Sequence, residues 1–293
     1  MCWSSGFVGA TLATRTAPVD TVLAWRTVLS ALVLGGWSLI RSRRLPPAAA
    51  ALRQAVLGLL VQVLYLGGVF TAADAGVSAS TGALIASLQP LLVAGLAGRV
   101  LAEPTTRRQQ QGLLIGAVGV GLVVSGDLHG GTAPAWAYLL PIGAVLALAN
   151  GTVLEQRWSP AQSLVSSLAL QSSVAAAVFC VVAAVEGQLT PPPGGEFWLA
   201  TSWLVGLSTF GGYGSYLLVI RRSGATRAST LLYLTPPTTA VWAWLLFGQA
   251  PHLLAGPGAI ICAAGLILAR KPQPTASTRA SGQATASADG AEP

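Results

Sequence analysis

Charge is scarce in this sequence. Of its 293 residues, 9% are Asp, Glu, Lys or Arg, against about 25% in soluble domains, so a water-facing surface cannot be built from it. Cysteine is rarer still. Cys2, Cys180 and Cys262 each sit in an apolar stretch, far from one another, which excludes a zinc knuckle or a redox pair of the usual spacing and reads as three buried thiols. The only histidines, His129 and His252, fall in predicted loops. No HExxH, GxSxG or acidic pair occurs in the apolar runs, which argues against an intramembrane enzyme such as a lipid-modifying transferase. No metal ligand set and no cofactor site is expected. The net charge of +7 does not point to nucleic acid, because the charges sit between apolar runs rather than along one helical face. A scaffold or sensor role would ordinarily bring a soluble domain, and none is read here.

What is present is hydrocarbon. The mean hydropathy is +0.65, and breaks at charge clusters and Pro/Gly turns leave apolar runs near 1–17, 21–40, 54–73, 77–99, 109–126, 134–154, 160–185, 197–220, 225–248 and 253–270. A span needs roughly 20 apolar residues. Backbone facing lipid must pair its own amides, so all ten runs are expected to be helices crossing a lipid bilayer. Met1 opens directly on the first run without the basic leader of a signal peptide. Either translation starts further upstream or the first helix is short and ends at the interface. Residues 271–293, rich in Ser, Thr, Ala, Gly and Pro, are expected to be a disordered tail.

Basic residues give the orientation. Loops after even-numbered runs, with the C-terminal flank, hold thirteen Arg or Lys: Arg41, Arg43, Arg44, Arg53, Arg99, Arg107, Arg108, Arg157, Arg221, Arg222, Arg227, Arg270 and Lys271. Loops after odd-numbered runs hold only Arg15, with Asp20, Asp74, Asp127, Glu186 and Glu196. The positive-inside rule then places both termini in the cytoplasm and requires an even number of spans. Fifteen Arg against one Lys, with abundant Ala and Gly, is the composition of a GC-rich bacterial genome, so the membrane expected is the bacterial inner membrane.

The chain also repeats itself. Gly112 aligns with Gly258 at an offset of 258 − 112 = 146, and the same offset pairs Gly119 with Gly265, Ile115 with Ile261, Pro90 with Pro236, Leu88 with Leu234, Ala94 with Ala240 and Ala97 with Ala243. Two halves of five runs each, 1–126 and 133–270, would enter the membrane from opposite sides. The fold class expected is therefore an all-α membrane protein of ten transmembrane helices arranged as two inverted five-helix repeats, a plan of many secondary transporters.

The segments WSSGFVGATLATRTAP (3–18), AWRTVLSALVL (24–34), SASTGALIASLQPLLVAGLAGRVLAE (78–103) and GLLIGAVGVGLVVSG (112–126) resemble the EamA-type drug/metabolite transporters. So do STLLYLTPPTTAVWAWLLFGQ (229–249) and GPGAIICAAGLILAR (256–270). In that family each half ends in a proline-bearing helix, a turn often reading Gly-Glu, and a glycine-rich helix. Here the turns read Ala102-Glu103 and Gly248-Gln249, so each half keeps one member of the pair. The resemblance implies a carrier of a small-molecule substrate. Family members carry very different solutes, and the reading leaves room for a homodimer.

Polar groups at membrane depth are costly and mark candidate sites. Arg26 is the one charge read inside a span, either as an anion ligand or as a snorkelling brace. Gln62, Gln89, Asn150 and Gln171 fall near the middles of their runs and either line a cavity or bond between helices. Pro90 beside Gln89 frees a backbone carbonyl one turn earlier. Among the aromatics, Tyr65, Tyr213 and Tyr233 join these five as substrate-binding candidates, and Trp3, Tyr216, Trp242 and Trp244 are read as cavity wall or packing. Gly112, Gly116, Gly119 and Gly121 read as a packing face; Gly211, Gly212 and Gly214 read as packing or a hinge. No Asp or Glu is read deep in a span. The expected cavity is lined by the third, fourth, eighth and ninth runs with parts of the first and sixth. Its solute is expected to be neutral, zwitterionic or amphipathic.

Overall fold

A computed structural model describes residues 2–41, 47–101, 107–130, 133–232, 235–248 and 254–269. The tail after 270 and the turns at Glu103 and Gln249 lie outside these residues. Those described form helices and no strand.

In the first half α1 (Ser5–Thr14) and α2 (Val19–Arg41) are followed by one long rod. That rod is made of α3 (Ala48–Leu57), a π-helical stretch (Gly58–Leu64) and α4 (Tyr65–Asp74). Next come α5 (Ala79–Ala86), α6 (Gln89–Val100) and α7 (Arg107–Gly130). The second half opens with a short 3-10 turn (Ala135–Tyr138) leading into α8 (Leu139–Trp158), then α9 (Leu164–Val185). A second long rod joins α10 (Gly195–Trp203), a π-helical stretch (Leu204–Gly214) and α11 (Ser215–Ser223). The last helices are α12 (Ala225–Leu231), α13 (Thr235–Phe247) and α14 (Ala255–Ala269). Among the described residues six rods are long and apolar enough to cross a bilayer: Val19–Ile40, Ala48–Asp74, Ala79–Val100, Ala135–Trp158, Leu164–Val185 and Gly195–Ser223. The apolar helices over Gln110–Gly126, Thr238–Phe247 and Ala255–Gly265 are shorter. At 1.5 Å per residue the ten residues of α1 cover about 15 Å, half the hydrocarbon core.

Local chemistry sets the breaks. Ser78 and Ser163 cap α5 and α9, each accepting from the amide three residues on, at 3.1 and 3.2 Å. The turns into α5 and α12 each carry a left-handed residue, Gly76 (φ +96°) and Gly224 (φ +86°), where a Cβ would be strained. Pro90 is the second residue of α6, and its ring cannot continue the ladder from α5. Pro236 stands at the same place in α13.

The solvent logic is reversed relative to a water-soluble protein. Large apolar side chains face outward, with Ile40 86% and Val185 83% exposed, while Arg26, Gln54, Gln62, Gln89 and Gln171 are buried. Lipid covers such an exterior at no cost, whereas polar groups must find partners inside. The closest helix pairs are α2 with α9 and α7 with α14. Between α7 and α14 the backbones touch. A Cβ on Gly265 would stand 2.6 Å from the Gly112 carbonyl oxygen, and one on Gly119 2.8 Å from that of Gly258, so Gly112 and Gly119 of the glycine face read from sequence pack closely, while Gly121 has open space beside it. The thiols are not all buried as expected: Cys262 is buried, Cys180 half-buried and Cys2 exposed, because an apolar stretch in a membrane bundle has a lipid-facing side.

Candidate functional site

The two π-helical stretches start at Gly58 and Leu204, 204 − 58 = 146 residues apart, the offset of the sequence repeat. A π turn widens the helix and turns its side chains out of register, and such turns are frequent at functional sites. Here they face one cavity, of about 30 Å³. It is lined by Trp3, Gly6 and Phe7 at the start of the chain, Arg26 of α2, Val61 to Phe70 of the first long rod, and Ser208, Thr209 and Tyr213 of the second. The volume suits a water or two; sites for drug-sized ligands measure about 300–1,000 Å³. The walls are closed in this conformation.

Four of the eight candidates read from sequence meet at this cavity: Arg26, Gln62, Tyr65 and Tyr213. Arg26 is 2% exposed. Its Nη2 donates to Thr209 Oγ1 at 3.0 Å, and its guanidinium lies 5.2 Å from the Phe70 ring centroid. Nε and Nη1 of Arg26, and Nε2 of Gln62, are buried without a hydrogen-bond partner. Trp3 stacks at a tilt on Tyr65 and Tyr216, at 6.0 and 4.9 Å between centroids.

Gln171 stands just behind the wall. Tyr213 donates its hydroxyl to Gln171 Oε1 at 2.6 Å, and Gln171 Nε2 donates to Gln54 Oε1 at 2.8 Å. Gln89 belongs to a neighbouring network, where its Nε2 donates to Tyr216 Oη at 2.7 Å and to Thr152 Oγ1 at 3.2 Å. Asn150 stands apart from both: its Nδ2 donates to Leu146 O one turn back on its own helix, at 2.8 Å. Tyr233 lies outside the described residues. The described cavity wall thus comes from the first, second, third and eighth runs, and the fourth supplies Gln89 to the network beside it.

Sequence reasoning passed over Gln54, Phe70, Thr152, Ser208 and Thr209. A Thr or Phe in a membrane helix carries no signal of its own until a partner is brought to it. It also passed over a buried acid. Glu155, in the last turn of α8, is 3% exposed and accepts from Arg221 Nε at 2.9 Å. Arg221 also donates to Gln162 O at 2.8 Å and Ser167 Oγ at 2.6 Å. The loop boundaries drawn from the sequence put both charges outside their spans; the helices run further and enclose them.

The two ends of the cavity differ. A second pocket of about 270 Å³ is lined by Thr11, Thr14, Arg15, Asp74 and Ser78, among others. Arg15 there lies over the Phe247 ring at 4.7 Å. A small void of about 10 Å³ lies between the two cavities, sharing Ala73 and Val77 with the second pocket and Phe7 and Val69 with the central one. Only apolar side chains separate these spaces, and van der Waals contacts part without stranding a polar group. Toward Glu155 and Arg221 the helices are tied by hydrogen bonds.

An apolar exterior, helical rods of membrane-crossing length and a small cavity between them that holds a buried Arg26 define a multi-pass membrane protein. The EamA-like transporter family model matches the chain twice, over residues 1–125 and 135–270. The chain belongs to this family and is a membrane transporter. It is similar to YedA of Escherichia coli (strain K12), named an uncharacterized inner membrane transporter. The identity is 24% over 235 residues, covering 80% of this chain and 76% of YedA. YedA of Escherichia coli O157:H7 gives the same figures. A solved crystal structure superposes with a TM-score of 0.65 at 19% identity, covering 92% of this chain and 94% of its own, and so shares the fold.

Proposed function

We propose that the chain is a multi-pass carrier of the bacterial inner membrane, an exporter or exchanger. It moves a small neutral, zwitterionic or amphipathic metabolite by alternating access. Ten spans form two inverted repeats, 1–126 and 133–270, with both termini in the cytoplasm, and the repeats rock about a fixed central site. The observation that carries this reading is the asymmetry of the central cavity. On the side of Asp74 and Ser78 it is separated from a larger pocket only by Phe7 and Val69 and their apolar neighbours. On the side of Glu155 it is tied by the Gln89–Tyr216–Thr152 network and the Glu155–Arg221 ion pair. This difference supports a carrier that parts first on the Asp74 side, where Thr21 and Trp25 still hold α2 to the Gln188 and Leu189 carbonyls. The paired π stretches and the double family match support the repeat.

The substrate class follows from the lining. Arg26 is the only charged residue in the described wall, so a multivalent anion would meet too few cations. The test is transport by the purified protein in vesicles. Saturable counterflow of a neutral, zwitterionic or amphipathic solute is expected, and saturable uptake of a nucleotide or sugar phosphate defeats the substrate class.

A further inference from the structure

Three buried nitrogens at the central cavity have no hydrogen-bond partner among the described residues. A guanidinium carries five N–H groups. For Arg26 one bond to Thr209 is formed, and Nε and Nη1 have no partner although the residue is 2% exposed. Gln62 Nε2, on the same wall, is also buried and unpaired. No Asp or Glu lies among the described lining residues, and the one ion pair among the described residues engages Glu155 with Arg221. A buried guanidinium without an anion costs several kcal/mol; the Phe70 ring and the Thr209 hydroxyl recover only part of that. A brace would not be built this way. As a brace, Arg26 would direct its donors at backbone carbonyls of the neighbouring helix, as Arg221 directs one at Gln162 O.

We propose that Arg26, with the Gln62 amide beside it, receives the single carboxylate of an amphipathic substrate whose apolar body lies against Trp3, Tyr65 and Phe70. This rests on the transport reading above and narrows its substrate class. One carboxylate neutralises one guanidinium through charge-assisted bonds, and a second anionic group would find no cation in the described wall. The apolar body is called for by the rest of the lining, which apart from Gly6, Ser208 and Thr209 is aromatic or aliphatic, with hydroxyls on Tyr65 and Tyr213. Both an α-amino acid and a simple organic acid present this chemistry. They differ in the ammonium group, which only the aromatic faces and hydroxyls of the wall could meet.

The experiment uses the purified full chain and four acids with their primary amides: 3-phenylpropionate, 4-methylpentanoate, L-phenylalanine and L-leucine. Thermal shift in detergent reads binding, and counterflow in vesicles reads transport. At least one acid is expected to raise the unfolding temperature while its amide at equal concentration does not. Whether the amino acids or the simple acids act identifies the source. Arg26→Met keeps the length and loses the charge. It is expected to weaken acid binding at least tenfold and to leave the ligand-free unfolding temperature equal or higher, since an uncompensated buried charge is removed. Arg26→Lys keeps the charge without the planar fork, and is expected to retain acid-over-amide preference at reduced affinity. Equal binding of acids and amides, silence of all four acids, or a ligand-free Arg26→Met protein that unfolds earlier or does not accumulate would each overturn the proposal. Acid binding without counterflow would defeat the transport reading alone. Counterflow of acids and amides alike would defeat the carboxylate assignment alone.

Discussion

Gly119 and Gly258 touch through their backbones, each reaching for the other. A Cβ on Gly119 would fall 2.8 Å from the Gly258 carbonyl oxygen, and a Cβ on Gly258 would fall 2.9 Å from that of Gly119. Gly112 and Gly265, their mates at the 146-residue offset (258 − 112 and 265 − 119), also meet. Such reciprocity is the mark of a two-fold contact. A pseudo-two-fold axis between α7 and α14, as proposed above, would produce it.

The close approach yields the first prediction. Gly119→Leu or Gly258→Leu must push α7 and α14 apart, at a cost of about 1–3 kcal/mol. Gly121→Leu serves as the control, because a Cβ there meets nothing within 4 Å. Thermal unfolding in detergent is expected to fall for the first two and hold for the third. Equal losses in all three would mean that membrane insertion, not this contact, is being measured.

The Glu155–Arg221 pair should be worth more than a surface ion pair. The Glu155 side chain is 2% exposed and that of Arg221 18%, and removing one member strands the other, at about 3–5 kcal/mol. Glu155→Met and Arg221→Met are each expected to destabilise the protein strongly. The double variant Glu155→Met/Arg221→Met should recover much of the loss, giving a clear coupling energy in a double-mutant cycle. Additive losses would refute the pairing.

Gln89 and Tyr65 test the location of the site. Gln89→Ala removes the bonds to Tyr216 and Thr152, and Tyr65→Ala opens the cavity wall behind Trp3. Counterflow is expected to fall about tenfold in at least one variant, the effect of about 1.4 kcal/mol. Unchanged transport in both, at normal expression, would move the site elsewhere.

Glu186 makes stability depend on pH. It caps the C-terminus of α9, exposed beside Asp20 in the first turn of α2, and the neighbouring carboxylate holds the Glu186 carboxyl above the usual carboxylate range. A pKa raised by folding means that the folded state binds the proton more tightly. Stability is therefore lost as pH rises from the unfolded pKa through the folded one. Glu186→Gln is expected to unfold later than the native chain at neutral pH, with the advantage fading toward about pH 4, where the carboxyls take up protons. An advantage independent of pH would assign it to something other than the pair.

Orientation is tested by fusing a reporter to the C-terminus. Thirteen basic residues on one set of loops against one on the other predict that this end lies in the cytoplasm. A reporter active only in the periplasm would refute the topology.

The sequence by itself determined the solvent. Nine per cent charge and apolar runs of membrane length leave lipid as the surrounding medium, and lipid leaves helix as the way to pair these backbones. It also carried the close-packing glycines Gly112 and Gly119 of α7, because glycine acts through the backbone and needs no distant partner to be legible, whereas the break at Pro90 inside the run 77–99 was not read. Only the tertiary structure decided which polar residues share a cavity. Four glutamines and asparagines looked alike along the chain. Packing sent Gln62 to the cavity, Gln171 behind its wall, Gln89 to Tyr216, and Asn150 back to its own helix. That choice depends on helix rotation and on the widened π stretches, which residues far apart in the chain fix together. Arg26 shows the division most clearly. Its presence in a span was legible from composition, but its two unpaired donors were not, because a missing partner is a property of everything packed around it.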